Sequence, residues 1–405
     1  MLNENFHWFM QLPEEILEKI LSYLWLKFDQ NSARLVCTTW NRLLLQIRAR
    51  RDQIFLKSVE IGNVYWKKYT NASRINPAPR FSHASCVLND KLCVFGGCSS
   101  SDTVYNDFYV FSLSERKWSK LITSGYTPLP RECATLVSFC NMECSYVVLF
   151  GGCCQPPRSL MTANGRFYND LHILNFAEKK WLPIMDGALR PFARAGHSCS
   201  MVGENMVIFG GAQAERRYSD VCLFNINKKR WYFPTITGAG PTERFGHTQV
   251  TVSDENILII GGCGYRNTEF SDVWLLNVNC WTWHEVAVND KIYEAPQLWS
   301  HPAVMVNTTV VVFSRPKRPT KRSAALYLQT PQTPMLMYLL DCCELETSHS
   351  CRWKNVLSSR NQSIPTTSLH SVDVGDNMIL IFGGLEDRET IQTTHNALIM
   401  VSPFW

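Results

Sequence analysis

Histidine and cysteine are the residues of this chain best suited to chemistry, and the histidines recur in a pattern. Five of the 10 His stand in the similar segments RFSH, RAGH, RFGH, LWSH and TSLH, at His83, His197, His247, His301 and His370. A catalytic residue needs one unique neighbourhood, so positions that repeat along a chain favour a shared structural role. We therefore expect these side chains to stand at strand starts and to make structural hydrogen bonds.

The cysteine spacing does not indicate a metal site. Cys342, Cys343, His349 and Cys351 are close in sequence but lack the paired C-x-x-C pattern of structural zinc sites. Most of the 16 Cys stand inside apolar runs such as KLCVFGG around Cys93, and free cysteine is among the residues most often buried. No glycine-rich phosphate loop is present. We predict reduced, buried thiols, no metal site and no cofactor.

Arginine recurs three residues before the histidine position, at Arg80, Arg131, Arg194 and Arg244. A ring of guanidinium groups on one face would bind an acidic or phosphorylated peptide through charge-assisted hydrogen bonds. The same arginines could instead brace neighbouring loops, and we favour this second interpretation. Both stay open from the sequence, and the four arginines are kept as candidate substrate-binding residues.

These positions belong to a repeat whose clearest marker is a glycine doublet after an apolar run. The doublets begin 55, 59, 51 and 122 residues apart, at Gly96, Gly151, Gly210, Gly261 and Gly383. The last spacing is about twice the others, so a degenerate unit lies within it, and counting 13 residues from His301 places its lost doublet at Ser314. Ala134 fills the one missing histidine position. The chain therefore has six units.

A tryptophan follows each doublet except the last. In four units an Asp stands 11 residues before it, in the pairs Asp107 and Trp118, Asp170 and Trp181, Asp220 and Trp231, and Asp272 and Trp283. Trp353 continues the series, and Trp66 stands 17 residues before His83 although no unit precedes it. The simplest geometry is a ring in which the N-terminal strand around Trp66 completes the last unit. Such closure leaves few exposed sheet edges.

Each unit predicts four short strands, because apolar and β-branched runs alternate with Gly, Pro, Asn and Asp. Together with the doublets, the Asp and Trp spacing and the ring closure, this pattern over residues 62–405 resembles the kelch repeat family of β-propellers. The resemblance implies a mainly β fold with six blades. It also implies an insertion in the fifth blade, which corresponds to the basic, Pro-rich segment 315–334.

Residues 9–50 do not fit the repeat and predict a small all-α module. LPEEILEKILSYL has one apolar helical face after Pro13, and a second helix is expected to begin near Asn31 or Ser32. Residues 51–61 are expected to continue that helix as a linker. Two such short helices cannot bury both apolar faces alone, so they need a partner or a docking surface.

The segments LPEEILEKILSYL and ARLVCTTWNRL resemble the F-box. This resemblance implies docking on Skp1, the adaptor of cullin-based ubiquitin ligases. It assigns that role here to Leu12, Pro13, Ile16, Leu17, Ile20, Leu24, Leu35, Val36, Cys37 and Trp40. The alternative is a helical cap that packs only on the propeller.

Composition limits the function classes. With 45% hydrophobic and 19% charged residues the chain is ordered and globular. A net charge of +5 falls short of what a nucleic-acid binder shows. No apolar run reaches the roughly 18 residues of a membrane span. No secretory signal is visible, so we expect an intracellular protein of the cytoplasm, the nucleus or both.

We hypothesise a non-catalytic substrate receptor. The F-box would bind Skp1 and through it cullin, and the propeller would bind a protein substrate for ubiquitination and proteasomal degradation. One alternative is a kelch scaffold with no link to ubiquitin transfer. Another is an enzyme on a propeller, such as a metal-dependent oxidase, which would need a convergent set of His, Tyr and acidic residues near the axis.

Overall fold

The structure is a computed structural model. It describes residues 12–24, 27–70, 75–141, 144–154, 165–184, 189–289, 295–296, 298–314, 335–354, 357–358, 367–388 and 391–403. The basic segment 315–334, predicted as an insertion in the fifth blade, lies outside the described residues.

Three helices stand at the N-terminal end of the described chain: α1 (Glu14–Leu21), α2 (Lys27–Arg34) and α3 (Thr38–Ile61). Their apolar faces form a small core of buried side chains from α1 and α3, namely Leu17, Leu21, Leu43, Leu44 and Ile47. Polar contacts fix the arrangement, because Arg51 of α3 donates to the Ser22 carbonyl at 2.6 Å and to the Leu24 carbonyl at 3.1 Å. The module is therefore a folded unit with its own core.

The start of the long helix differs from the sequence prediction. Asn31 and Ser32 lie inside α2, and α3 begins instead at Thr38. Its N-cap is Cys37, whose Sγ accepts a hydrogen bond from the Trp40 amide at 3.5 Å. Cysteine is a weak acceptor and is not among the favoured capping residues, which is why the sequence pattern pointed to Asn or Ser.

The predicted six-bladed, mainly β propeller is confirmed. Each of six sheets contains four antiparallel strands in the order of the repeat, and the sheets of blades two and five have additional short strands. Their first strands contact one another in sequence around a closed ring, and the first strand of blade one contacts that of blade six. The axis of the propeller therefore runs between these six inner strands.

The strand bounds are similar from blade to blade. From first to fourth strand they are Ala84–Leu88, Lys91–Phe95, Phe108–Ser112 and Lys117–Lys120 in blade one; Thr135–Cys140, Ser145–Phe150, Leu171–Asn175 and Lys180–Pro183 in blade two; and Ser198–Val202, Asn205–Phe209, Val221–Asn225 and Arg230–Tyr232 in blade three. Blade four has Thr248–Thr251, Asn256–Cys263, Glu269–Asn277 and Thr282–Glu285; blade five has Ala303–Val306, Thr309–Ser314, Leu336–Asp341 and Ser350–Trp353; and blade six has Ser371–Gly375, Met378–Phe382, Leu398–Ser402 and Tyr65–Tyr69.

Blade six is closed by the N-terminal strand, as predicted. Tyr65–Tyr69 pairs antiparallel with Leu398–Ser402, and Trp66 lies opposite Val401. Trp66 is 8% exposed and packs edge-on against Phe313 of blade five, with ring centroids 5.1 Å apart. Trp66 thus packs between blade six and the preceding blade, as the other repeat tryptophans do in their own blades.

Each repeat tryptophan fills the space between its own sheet and the preceding one. In blades one to four the tryptophan ring contacts the Phe that ends the second strand of the preceding blade. The pairs are Trp118 and Phe382, Trp181 and Phe95, Trp231 and Phe150, and Trp283 and Phe209. Burial of an aromatic side chain of this size dominates the energetics of such a contact. The recurring Trp is therefore the main apolar link between blades.

Helix α3 joins the helical module to the propeller without a break. Phe55 and Val59 near its C-terminal end share a core with Trp66, Val311 and Phe313. At about 1.5 Å per residue, its 24 residues span roughly 36 Å. One rigid element therefore contributes to both hydrophobic cores.

The helix contacts one face of the propeller. Asn377 donates to Asp52 at 2.7 Å, and Asn307 donates to Glu60. Both asparagines lie in turns between the first and second strands of their blades. The starts of the first strands, where the histidine positions lie, are at the opposite face.

Candidate functional site: helical face and propeller axis

Four buried arginines brace the face of the propeller opposite α3. They are Arg80, Arg131, Arg194 and Arg244, in blades one to four, and each is 0–1% exposed. In blade three, the two terminal nitrogens of Arg194 donate to the Asp220 carboxylate at 2.9 and 2.8 Å, and Nη1 also donates to the Gly210 carbonyl. The guanidinium carbon lies 4.5 Å from the ring centroid of Tyr218. The arginine is thus held by a carboxylate and an aromatic ring.

The same contact recurs in the other three blades. The equivalent sets are Arg80 with Asp107 and Tyr105, Arg131 with Asp170 and Tyr168, and Arg244 with Asp272 and Phe270. Burial alone would raise the pKa of Asp170, but hydrogen bonds from Arg131 and His172 hold that pKa well below its usual range. The carboxylate is therefore ionised at neutral pH and paired with its arginine.

This arrangement corrects the prediction that Arg80, Arg131, Arg194 and Arg244 contact a substrate. Guanidinium groups that are 0–1% exposed and fully engaged within their own blade offer no surface to a partner. The bracing alternative fits instead. The main chain extends the brace to the next blade, since the Arg244 carbonyl accepts a hydrogen bond from the Gly211 amide at 2.8 Å.

A ring of six main-chain hydrogen bonds surrounds the axis. In each blade the residue before the histidine position donates its amide to the carbonyl of the equivalent residue in the preceding blade, at 2.8–3.2 Å. The six residues are Ser82, Cys133, Gly196, Gly246, Ser300 and Leu369, and all have φ between 51° and 62°. This conformation costs a non-glycine residue about 1–2 kcal/mol. The closed ring of bonds compensates for that cost.

The histidines form a second set of contacts between blades, as a structural role predicts. Nε2 of His197 lies 2.8 Å from the Thr135 hydroxyl, and Nε2 of His247 lies 2.6 Å from the Ser198 hydroxyl. Burial, with a smaller contribution from Arg244, lowers the pKa of His247 to about 3. These histidines are therefore neutral at physiological pH and hold blades together.

A cavity of about 650 Å³ lies on the axis at this face. Its rim is formed by the residue two before the histidine position in each blade. We call these the rim residues: Phe81, Glu132, Ala195, Phe245, Trp299 and Ser368. All except Ala195 line the cavity. The volume is typical of a binding pocket.

The rim residues share a backbone position but not a side-chain type. Five of them make an isolated β-bridge to the end of the second strand or to the segment just after it. The pairs are Phe81 and Cys98, Glu132 and Cys153, Ala195 and Ala212, Phe245 and Cys263, and Ser368 and Leu385. The repeat thus fixes the main chain while the side chain differs from blade to blade. Sequence analysis missed this ring of positions, although the offset of two from the histidine position marks it.

Glu132 is the most unusual of the rim residues. Among the described residues its half-buried carboxylate has no hydrogen-bond or ion-pair partner. Burial, with a smaller contribution from the Asp102 carboxylate, raises the pKa of Glu132 to about 7. No lysine or arginine of the described chain lines the cavity. The axial cavity is therefore acidic and aromatic.

The helical module presents apolar side chains to solvent. Of the residues assigned to Skp1 docking, Ile16 is 45% exposed, Leu35 is 87% exposed and Val36 is 42% exposed. Ile20, 37% exposed, lies one turn after Ile16 and so shares its helix face. Tyr23, 67% exposed, extends the apolar surface. We call Ile16, Ile20, Tyr23, Leu35 and Val36 the helical face.

The other predicted docking residues have different positions. Leu17 is buried in the core of the module, and Leu12, Leu24 and Trp40 pack against that core while partly exposed. Pro13 precedes α1, and Cys37 is the N-cap of α3. The residues therefore divide into an exposed set that could contact a partner and a set that shapes the module.

The described residues contain no group of three or more His, Cys, Asp or Glu side chains placed to hold a metal ion. Cys342 and Cys351 lie together, with their sulfur atoms 3.4 Å apart, whereas His349 stacks on His284. Within the same residues, no helix is both long and apolar enough to cross a membrane.

Comparison with known proteins places both parts of the chain in families. Residues 80–283, half of the chain, match the family described as FBX42, beta-propeller domain, and residues 9–51 match the F-box-like family. Human Kelch domain-containing protein 1 is 26% identical over 318 residues, which is 72% of this chain and 76% of that protein. Tip elongation aberrant protein 1 of Schizosaccharomyces pombe is 29% identical over 217 residues, 52% of this chain.

The coverage of these relatives differs widely, since the matched residues make up 18% of the fission-yeast protein. Among solved structures, that of YjhT aligns with a TM-score of 0.58 at 14% identity over 81% of this chain and 96% of the YjhT chain. This likeness shows the propeller fold. The chain is an F-box/kelch protein and belongs to the FBX42 β-propeller family.

Proposed function

We propose that this chain is the substrate-recognition subunit of a Skp1–cullin–F-box ubiquitin ligase. Its helical module docks on Skp1 and through it on cullin, and its propeller binds a protein substrate that is then ubiquitinated and degraded by the proteasome. The chain performs no covalent step. Its contribution is proximity, because holding the substrate near the ubiquitin-charged enzyme makes the transfer effectively intramolecular.

The helical face is the observation that carries this proposal. Five apolar residues of a small module, Leu35 at 87% exposure above all, remain uncovered although the module has its own core and a firm link to the propeller. An exposed apolar set of this kind marks a protein-interaction site. The alternative of a cap that packs only on the propeller leaves these side chains unexplained, since the contacts with the propeller come from the far end of α3.

The position of α3 supports a receptor role. The helix packs on one face of the propeller, and the axial cavity lies at the opposite face. A substrate bound at the cavity is therefore held at a fixed distance and orientation from the helical face. Rigid presentation reduces the conformational cost of bringing a substrate lysine to the enzyme.

A reconstituted ubiquitination assay with proximity labelling tests the proposal. The Leu35→Asp variant, in which the helical face is disabled, should label the same proteins as the wild-type chain but in larger amounts. In vitro, only the wild type should support their ubiquitination. Ile122→Asp changes an apolar residue of the propeller surface that is 75% exposed and serves as the matched control. Equal labelling and no ubiquitination by any form would favour the kelch scaffold.

A further inference from the structure

The axial cavity contains a carboxylate, that of Glu132, which has no counter-ion among the residues that the structure describes. Glu132 lies on the rim, and the only charged residue besides it that lines the cavity among the described residues is another acid, Asp102. The nearest arginine in sequence, Arg131, is committed to Asp170 at 2.7 Å. A half-buried carboxylate with no cation beside it costs free energy, and such costs are often retained at binding sites.

Three of the six residues that form the rim of the same cavity are aromatic. Phe81, Phe245 and Trp299 occupy three of the six rim positions, and the Phe245 and Trp299 rings meet edge to face with centroids 6.1 Å apart. Arg217 lies 4.8 Å from the Phe245 centroid but is not among the cavity-lining residues. Its Nη1 donates to the Ala214 carbonyl. Aromatic rings of this kind attract a cation that approaches the ring face.

The protein itself shows what binds between an aromatic ring and a carboxylate of this kind. In blades one to four an arginine is held in that way, as Arg194 is by Tyr218 and Asp220. The rim offers an aromatic ring and a carboxylate again, in Phe81 and Glu132, but no arginine of the described chain enters the cavity. The component that the described part of the chain does not supply there is a cation.

We propose that the axial cavity binds a cationic side chain, an arginine or lysine, of the protein substrate. Glu132 accepts the hydrogen bonds of the cation, and the rim aromatics cover its apolar stem and charged head. The ligand is opposite in charge to the acidic or phosphorylated motif expected from the four arginines. This inference rests on the proposed function, because it names the chemistry of the client that the propeller would hold.

Capped pentapeptides with a variable central residue test the inference. The probes are acetyl-Gly-Gly-X-Gly-Gly-amide, where X is arginine, lysine, citrulline or glutamate, and binding to the full chain is followed by ligand-observed NMR. We expect the arginine peptide, the lysine peptide or both to bind at least tenfold more tightly than the citrulline peptide, which has a similar shape but no charge. The glutamate peptide should not bind.

Glu132→Gln should weaken the cationic peptide about five- to tenfold. Glu204→Gln, an exposed site in the turn at the opposite end of blade three, is the matched control and should change nothing. Glutamine removes an unpaired charge, so the variant should fold, and its melting temperature verifies this. The inference is overturned if citrulline binds as well as arginine, if Glu132→Gln has no effect, if glutamate binds best, or if no peptide binds.

The two proposals fail separately. If the cationic peptides bind as expected but the chain does not bind Skp1, the ligase function falls and the cavity assignment stands. If Skp1 binds but the peptides are not discriminated by charge, the cavity assignment alone falls.

Discussion

Nε2 of His83 lies 2.9 Å from the hydroxyl of Ser371 and joins the first blade to the last across the closure of the ring. His197 and His247 repeat this contact, each with the hydroxyl that follows the histidine position of the preceding blade. Blade two lacks both partners, because Ala134 fills its histidine position and Ala84 fills the hydroxyl position of blade one. Between blades one and two the histidine and the hydroxyl are thus both absent.

Restoring the missing pair should stabilise the ring. The double variant Ala84→Ser with Ala134→His should gain about 0.5–1.5 kcal/mol of coupling energy over the sum of the single changes, since one buried hydrogen bond is formed. Thermal or denaturant unfolding of the wild type and the three variants measures this term. A coupling near zero would mean that the hydroxyl does not recognise the histidine.

Removal of the closing tryptophan should strongly destabilise the propeller. Trp66→Ala empties a buried site between blades five and six, and large-to-small changes of this kind cost about 3–5 kcal/mol. Tyr65→Ala, in the same strand but 48% exposed, is the control and should cost far less. Similar melting temperatures for the two variants would argue against closure by this strand.

Loss of a bracing arginine should lower stability rather than client binding. Arg194→Ala leaves the Gly210 carbonyl and the Asp220 carboxylate, which is 43% exposed, without their donor, and this should cost about 2–3 kcal/mol. Arg230→Ala, at an exposed site of the same blade, should change stability by less than about 0.5 kcal/mol. Client binding is compared at a temperature where both variants are folded. If Arg194→Ala lost client binding without a change in stability, Arg194 would be a substrate contact and not a brace.

Glu132 should make stability depend on pH in a defined direction. Its pKa is about 7 in the folded chain against an ordinary 4.5, so the folded state holds more protons than the unfolded state between these values. Stability contributed by the protonated carboxyl is therefore lost as the pH rises from 4.5 through 7. Glu132→Gln should be more stable than the wild type by about 2–3 kcal/mol at pH 8.

The difference between these two proteins should vanish by pH 4.5. Asp373, whose pKa burial raises to about 6, changes in the same direction but is present in both, so the comparison isolates Glu132. Denaturant unfolding at pH 4.5, 6 and 8 gives the three free energies. Equal stability of both proteins at pH 8 would show that the carboxylate is not strained.

Much of the fold could be predicted because the repeat encodes it in fixed offsets. The place of Trp66 in blade six followed from its distance to His83, and the six units followed from the doublets. In Gly97 the reason for a doublet is visible, since φ is 89° and an added Cβ would lie 2.7 Å from the Phe81 carbonyl oxygen. Such backbone constraints require glycine at fixed positions, so they can be recognised in the sequence.

The site was harder to predict because sequence spacing does not show whether a side chain points into its blade or toward solvent. Arg194 was considered as a substrate contact, whereas its guanidinium points inward to Asp220. A signal was present, since arginine and aspartate occur together in blades one to four, and blade five has Leu298 and blade six has Thr367 at the arginine position. The charge of the axial cavity depends on Glu132 being left unpaired, which only the three-dimensional arrangement reveals.

Binding to purified Skp1 tests the central claim most directly. Calorimetric titration of the full chain should give a 1:1 complex, with affinity reduced at least 100-fold by combining Ile16→Asp and Leu35→Asp and unchanged by Ile122→Asp. The charged substitutions are at exposed positions, so all three proteins should melt at similar temperatures. Absence of a complex with the wild type, or equal affinity for the wild type and the double variant, would contradict the account.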